Sequence, residues 1–212
     1  MNIKSFVFNP FYENTYLISS KKGNCLIFDP GCYEPYEMEE LDSYIQMEGL
    51  KVNAIINTHC HIDHVLGNEY LKNKYSVPLK IPINEKEVFA SVPAYAPQWG
   101  MAGYQHAEVD DYLEEGSDLV MDEIAFELIE VPGHSPGHLM FYNKVGKVVI
   151  GGDVLFRESI GRTDLPGGNH TDLLQNIQDK VYTLPDDVVV YPGHGPSTTI
   201  EHERKNNPFV RG

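Results

Sequence analysis

The sequence predicts an α/β fold built in layers, with helices outside sheets. Three observations carry the prediction. Segments with the two-residue alternation of strands are interleaved with segments at helical spacing, in the order strands, helix, strand, helix, strands, helix, strand. The chain has 212 residues and is 42% hydrophobic, enough to bury a large core in a single domain spanning residues 1–212. It contains no internal repeat, low-complexity tract or linker that would divide it.

The elements follow in order. Residues 3–31, IKSFVFNPFYENTYLISSKKGNCLIFDPG, read as three short strands rich in Phe, Tyr, Ile and Val, with turns at Asn9-Pro10 and Lys22-Gly23. In EPYEMEELDSYIQMEG (34–49), Tyr36, Leu41, Tyr44 and Ile45 recur at helical spacing and Gly49 supplies a stop. VNAIINTH (52–59) is a buried strand, and DHVLGNEYLKNKYS (63–76) reads as a helix. Residues 92–106, VPAYAPQWGMAGYQH, mix Pro, Gly and aromatics without a period. That predicts a long loop, equally a lid over a binding site or a packed crossover. SDLVMDEIAFELIEVPG (117–133) and HLMFYNKVGKVVIGGD (138–153) supply further strands, with Lys144 to Gly146 placed as a hairpin turn. HTDLLQNIQDKVYTL (170–184) is an amphipathic helix stopped by Pro185, and DVVVYPGHG (187–195) is a last buried strand and turn.

Charge and cysteine usage exclude several classes. Sixteen Lys+Arg face 31 Asp+Glu, a formal net charge of −15. Such a surface repels phosphate backbones and anionic lipids, so neither nucleic acid nor a membrane is expected as a partner. No apolar run is long enough to span a bilayer. The N-terminus shows no basic and apolar leader pattern, and Cys25, Cys32 and Cys60 form no disulfide framework. A reducing, cytoplasmic setting is the expectation.

Four motifs sit at the ends of apolar strands: His59-Cys60-His61-Ile62-Asp63-His64, Gly133-His134, Gly152-Asp153 and Gly193-His194-Gly195. Strand-end loops are where rigid scaffolds place chemistry, and glycines let the backbone bend and approach closely. In extended chain, residues two apart face the same way, so His59 and His61 can point at one metal while Cys60 points elsewhere into packing. A helix beginning near Asp63 would aim Asp63 and His64 at a neighbouring point. Neutral imidazole and carboxylate suit zinc, iron or manganese. His134 can complete a first site and His194 a second, and Asp153 can bridge both. His106, His138, His170 and His202 are read as ordinary packed or solvated histidines.

This set resembles the metallo-β-lactamase superfamily, and more closely its small glyoxalase II-like (hydroxyacylglutathione hydrolase-like) members. The resemblance runs through FDPG (28–31), THCHIDHVLGN (58–68), VPGHSPGH (131–138), GGDVLFRESIGRTDLPGG (151–168), YPGHGPST (191–198) and ERKNNPF (203–209). It implies a four-layer αββα sandwich with a metal site at one edge of the sheets. It implies two divalent ions, zinc first, with iron or manganese acceptable. Metal 1 would be held by His59, His61, His134 and Asp153, and metal 2 by Asp63, His64, Asp153 and His194. Asp29 would support the metal loop, and Asp63 and Asp153 would be the catalytic carboxylates. The activity implied is hydrolysis of S-acylglutathione-type thioesters, with S-D-lactoylglutathione as reference, by a monomer or small homo-oligomer acting on a small molecule.

Larger glyoxalase II enzymes grip glutathione with a helical C-terminal domain. Here STTIEHERKNNPFVRG follows the last ligand motif, so the thiol is left open. Arg162, Arg204 and Lys205 are the basic candidates for an anionic substrate. A structural pair with Asp164 is the alternative for Arg162, and a solvated face the alternative for the other two. Trp99 and Tyr104 would wall the acyl group. A mononuclear iron persulfide dioxygenase shares the His/His/Asp part and a GRTD run, and a lactonase or other hydrolase of the same fold would use the same hydroxide.

Overall fold

The computed structural model describes residues 1–212. They form two compact units, Met1–Leu113 with Met121–Ile124, and Glu114–Val120 with Ala125–Gly212. No helix is long and apolar enough to cross a membrane.

The first unit contains β1 (Asn2–Phe8), β2 (Glu13–Ser19), β3 (Asn24–Phe28), α1 (Pro35–Met47), β4 (Lys51–Ile56), α2 (Ile62–Val65), α3 (Asn68–Tyr75), β5 (Leu79–Pro82), α4 (Lys86–Tyr95) and β6 (Asp111–Leu113). The six strands make one sheet in sequence order. β1, β2 and β3 are antiparallel neighbours, as the turn residues Asn9-Pro10 and Lys22-Gly23 require, and β3 through β6 run parallel. Parallel pairing puts the C-terminal ends of β3 and β4 side by side, so Asp29 emerges next to Asn57; its N–H donates to the Ile56 carbonyl. α1 buries Leu41 and Ile45 of the spacing read from the sequence, while Tyr36 is exposed. The core of this unit gathers Leu17, Ile27, Leu41, Ile45, Ile55, Leu71, Leu79, Ile81 and Phe89. Each such side chain taken out of water contributes about 1.5–3 kcal/mol.

The second unit's strands are β7 (Leu119–Met121, at the boundary), β8 (Ile124–Glu130), β9 (Leu139–Asn143), β10 (Val148–Gly152), the small hairpin β11 (Leu155–Phe156) and β12 (Ser159–Ile160), β13 (Val189–Pro192) and β14 (Thr198–Thr199). Its helices are α5 (His170–Asn176), which continues as a wider turn through Val181, and α6 (Ile200–Asn206). The main sheet has the order β14-β13-β10-β9-β8-β7. β10 and β13 are parallel neighbours, so Asp153 and His194 leave adjacent strands at the same edge. Met140, Val149, Val154, Leu155, Leu173, Ile177 and Val190 are in its core.

Two expectations need correction. Residues 92–106 are not one irregular loop. Val92 to Tyr95 are the last turn of α4, Ala96–Trp99 is a 3₁₀ turn, and only the remainder is irregular. The helical period is carried by buried Phe89, Val92 and Ala96, and it starts upstream of the Pro- and Gly-rich stretch that hides it. The helix read over 63–76 is two helices. Gly67 interrupts it because its N–H donates to the Pro30 carbonyl, and a Cβ there would lie 2.5 Å from Cys32 Sγ.

Candidate metal centre

In the first unit the backbone of His61 is extended and α2 starts at Ile62. The motif therefore changes from strand-like to helical geometry inside six residues, as its two aims require. The His59 ring lies 4.8 Å from that of His61 and 4.2 Å from that of His64, centroid to centroid. Asp63 Oδ2 is 3.6 Å from His64 Nε2. Asp29, His59 and His64 offer ligand atoms within 4.8 Å of one another.

Contacts with Thr58 and Asp29 set which nitrogens of His59 and His64 carry protons. The Thr58 hydroxyl donates to Asp29 Oδ2 at 2.6 Å, and its one proton is then committed. At the 3.1 Å contact with His59, Nδ1–H must therefore be the donor, which leaves the lone pair on Nε2. Asp29 Oδ2 also faces His64 Nδ1 at 3.2 Å, and the charge of that oxygen favours the His64 proton on Nδ1 and the lone pair on Nε2. Asp29 adopts a left-handed backbone (φ +47°), and its Oδ1 accepts the Thr58 N–H at 2.6 Å.

The second unit repeats the device. His134 Nδ1 lies 2.8 Å from the carbonyl of Arg162, which can only accept, so Nε2 again holds the lone pair. That nitrogen is 3.6 Å from Asp153 Oδ2, and His194 Nε2 is 3.5 Å from the same oxygen.

These residues fit divalent ions. His64 with Asp63, and His134 with Asp153, are pairs in which two lone-pair atoms converge at 3.6 Å, and His194 Nε2 approaches Asp153 at 3.5 Å. Ligands about 2.1 Å from a shared ion in tetrahedral geometry stand about 3.4 Å apart. Nitrogen and carboxylate donors with tautomers set by second partners are the donor set of zinc, iron or manganese.

The family model described as metallo-beta-lactamase superfamily matches residues 8–194. The chain belongs to the metallo-β-lactamase superfamily. It is 37% identical over 213 residues to the hydroxyacylglutathione hydrolase GloC of Haemophilus influenzae, covering 99% of this chain and 98% of that one. Among solved structures it is similar to the BLEG-1 B3 metallo-β-lactamase, with TM-score 0.90, 34% identity and full coverage of both chains. It is also similar to TTHA1623 in a di-iron-bound form, with TM-score 0.87, 36% identity, and coverage of 98% of this chain and 100% of that one. The predicted fold class is the one these structures share with it, and the chain is a metal-binding hydrolase of the superfamily.

Several residues that hold this superfamily motif in place escaped the sequence reading. Buried Glu85 accepts the Cys60 N–H at 2.9 Å, fixing the peptide between His59 and His61. Asn57 donates to the His64 carbonyl at 2.8 Å and is itself oriented by Asn68. Asn9 donates to the Asp63 carbonyl at 3.0 Å, and its own N–H is held by buried Glu37. His138, read as ordinary, accepts the Asp153 N–H on Nε2 at 3.0 Å. A buried Asn or Glu bonded to backbone has no sequence spacing that announces it. Cys60 packs in the core, and burial pushes its thiol well up, away from thiolate chemistry.

The other candidates are placed as follows. Arg162 makes a two-pronged pair with Asp164, at 2.7 and 2.8 Å, on the surface. That hydrogen bonding holds the Asp164 carboxyl down to about 2. Trp99 is partly exposed and its ring lies 5.8 Å from Phe11. The Tyr104 hydroxyl contacts His106 Nδ1 at 3.0 Å, and burial raises the Tyr104 phenol and lowers the His106 imidazole.

Proposed function

We propose that the chain is a binuclear metallohydrolase that cleaves S-acylglutathione-type thioesters, S-D-lactoylglutathione to D-lactate and glutathione being the reference reaction. The observation that carries the hydrolase reading is the set of imidazole and carboxylate groups converging at 3.5–3.6 Å, with the tautomers of His64 and His134 set from behind. The thioester reading is supported by the 37% identity, over nearly the whole chain, to a hydroxyacylglutathione hydrolase.

In this reading residues 1–212 act as one catalytic domain. His59, His61, His134 and Asp153 hold one ion, and Asp63, His64, Asp153 and His194 hold the other. When bound, such ions supply Lewis acidity that brings the pKa of water to about 7 and polarises a carbonyl. Asp63 orients the attacking water through its carboxylate and accepts its hydrogen bond. Asp29 and the Arg162 carbonyl hold imidazoles in the ligating tautomer. A thiolate leaves without much help from an acid, so no further proton donor is required. Trp99 and Tyr104 wall the acyl group, and Arg162, which also carries the two-pronged pair with Asp164, is the cation offered to an anionic thiol half.

The test is the initial rate of S-D-lactoylglutathione thioester loss, followed by absorbance, on protein of measured metal content. Fast loss that disappears in Asp63→Ala supports the proposal. No loss in a sample loaded with zinc, iron or manganese overturns the S-acylglutathione reading and moves persulfide oxidation, or a thioester of a different thiol, to the front.

A further inference from the structure

GRTD (161–164) and the C-terminal ERKNNPF (203–209) are the two resemblance motifs that the ligand set leaves without a purpose. The second unit connects them. We propose that Glu203 and Asn207 are positioning residues for His134: they clamp the β11–β12 hairpin so that the next residues deliver the Arg162 carbonyl to His134 Nδ1. The proposal rests on the reading of His134 as a metal ligand.

Glu203 and Asn207 are both fully buried. Glu203 Oε2 accepts the Glu158 N–H at 2.8 Å, at the turn of the hairpin, where Glu158 has a left-handed backbone (φ +56°). Asn207 Nδ2 donates to the Ser159 carbonyl at 3.0 Å and to Glu203 Oε2 at 2.9 Å. Its Oδ1 accepts the N–H groups of Phe209 and Val210, which folds the NPF segment back on the side chain. Thr198 donates to the other oxygen of Glu203. The carboxylate and the amide thus tie the hairpin, β14 and the tail together from buried positions.

Beyond Ser159 the chain has little freedom before it reaches His134. The Gly161 N–H donates to the Val154 carbonyl at 3.2 Å. A Cβ on Gly161 would stand 1.9 Å from the Asp153 carbonyl oxygen and 3.1 Å from His134 Nδ1, so only glycine lets the strand pass between these two residues. The Arg162 carbonyl then arrives 2.8 Å from His134 Nδ1. A metal-ligating histidine whose other nitrogen is unheld can take either tautomer, and only one leaves Nε2 available. The clamp converts a C-terminal helix contact into the tautomer of a residue far upstream in the chain.

The experiment uses Asn207→Asp, which keeps the size and the Oδ1 acceptor. It replaces the donor by an oxygen facing two oxygens, the Ser159 carbonyl and Glu203. Long-range proton–nitrogen NMR of the metal-free protein reads the His134 tautomer directly. Wild type is expected to show a single Nδ1–H form, and Asn207→Asp a mixture. Zinc affinity by competition with a chromophoric chelator is expected to fall about 10-fold or more. Lys205→Ala, at an exposed ion pair with Glu201 on the same helix, is the control and leaves both readouts unchanged. If Asn207→Asp does not fold, Thr198→Val removes one donor from Glu203 and is expected to shift both readouts in the same direction by less. A folded variant with a pure Nδ1–H tautomer and wild-type zinc affinity overturns the clamp. If zinc leaves the His134 signals of wild type unmoved, the ligand reading fails, while the tautomer in the metal-free protein still decides the clamp.

Discussion

Replacing Asp29 by Asn tests how far the site depends on groups that do not themselves need to bind metal. The carboxylate does three things: Oδ1 accepts the Thr58 N–H, and Oδ2 accepts the Thr58 hydroxyl and faces His64 Nδ1. An amide has only one oxygen. Left on the backbone N–H, it puts its NH₂ against the hydroxyl and the imidazole. The hydroxyl can rotate and accept, but His64 can meet an N–H only by moving its proton to Nε2. That nitrogen is the one 3.6 Å from Asp63. The variant thus loses the lone pair that a second ion needs. Disturbing such a partner costs about 10–100-fold in metal affinity, roughly 1.4–2.7 kcal/mol. Weakening hydrogen bonds to the buried charge costs about 1.5–3 kcal/mol of folding stability. For a chain of this size that is a fall of roughly 3–12 °C in the Tm of the metal-free protein. Chelator competition reads the first quantity and calorimetry the second. A folded variant that binds both ions as tightly as wild type would refute the tautomer argument, even if its Tm fell.

Two further outcomes follow from the structure. Gly133→Ala places a Cβ 2.5 Å from the backbone of Leu173 at a residue with φ +140°, so overpacking and backbone strain add to about 2–4 kcal/mol; thermal unfolding should show a Tm lower by roughly 4–16 °C, and an unchanged Tm would contradict the packing described. Asp122 is held down to about 2 by hydrogen bonds from Ser20 and Asn24, with Lys22 alongside. A depressed carboxyl stabilises the fold above its ordinary pKa of about 3.9 and loses that contribution as pH falls through about 2. A carbon-detected titration should place its midpoint near 2 and Ser20→Ala should raise it; a wild-type midpoint near the ordinary value would dismiss the hydrogen bonds as the cause.

The sequence by itself determined the α/β class, most of the strands, the superfamily and the identity of the donor-bearing motifs. These are legible because they are local. Alternation and helical spacing follow from backbone geometry. Three histidines and an aspartate inside six residues, each motif after an apolar strand, leave little else for those side chains to do. Tertiary structure alone decided which nitrogen of His59, His64 and His134 carries the proton. Asp29 reaches His64, and Arg162 reaches His134, across many residues of chain, and in the second case through a backbone carbonyl that any residue type possesses. The same holds for Glu85 on the Cys60 peptide and for Asn207 on the Ser159 carbonyl. A hydrogen bond from a buried side chain to backbone depends on where the folded chain brings that backbone, and no spacing in the sequence records it.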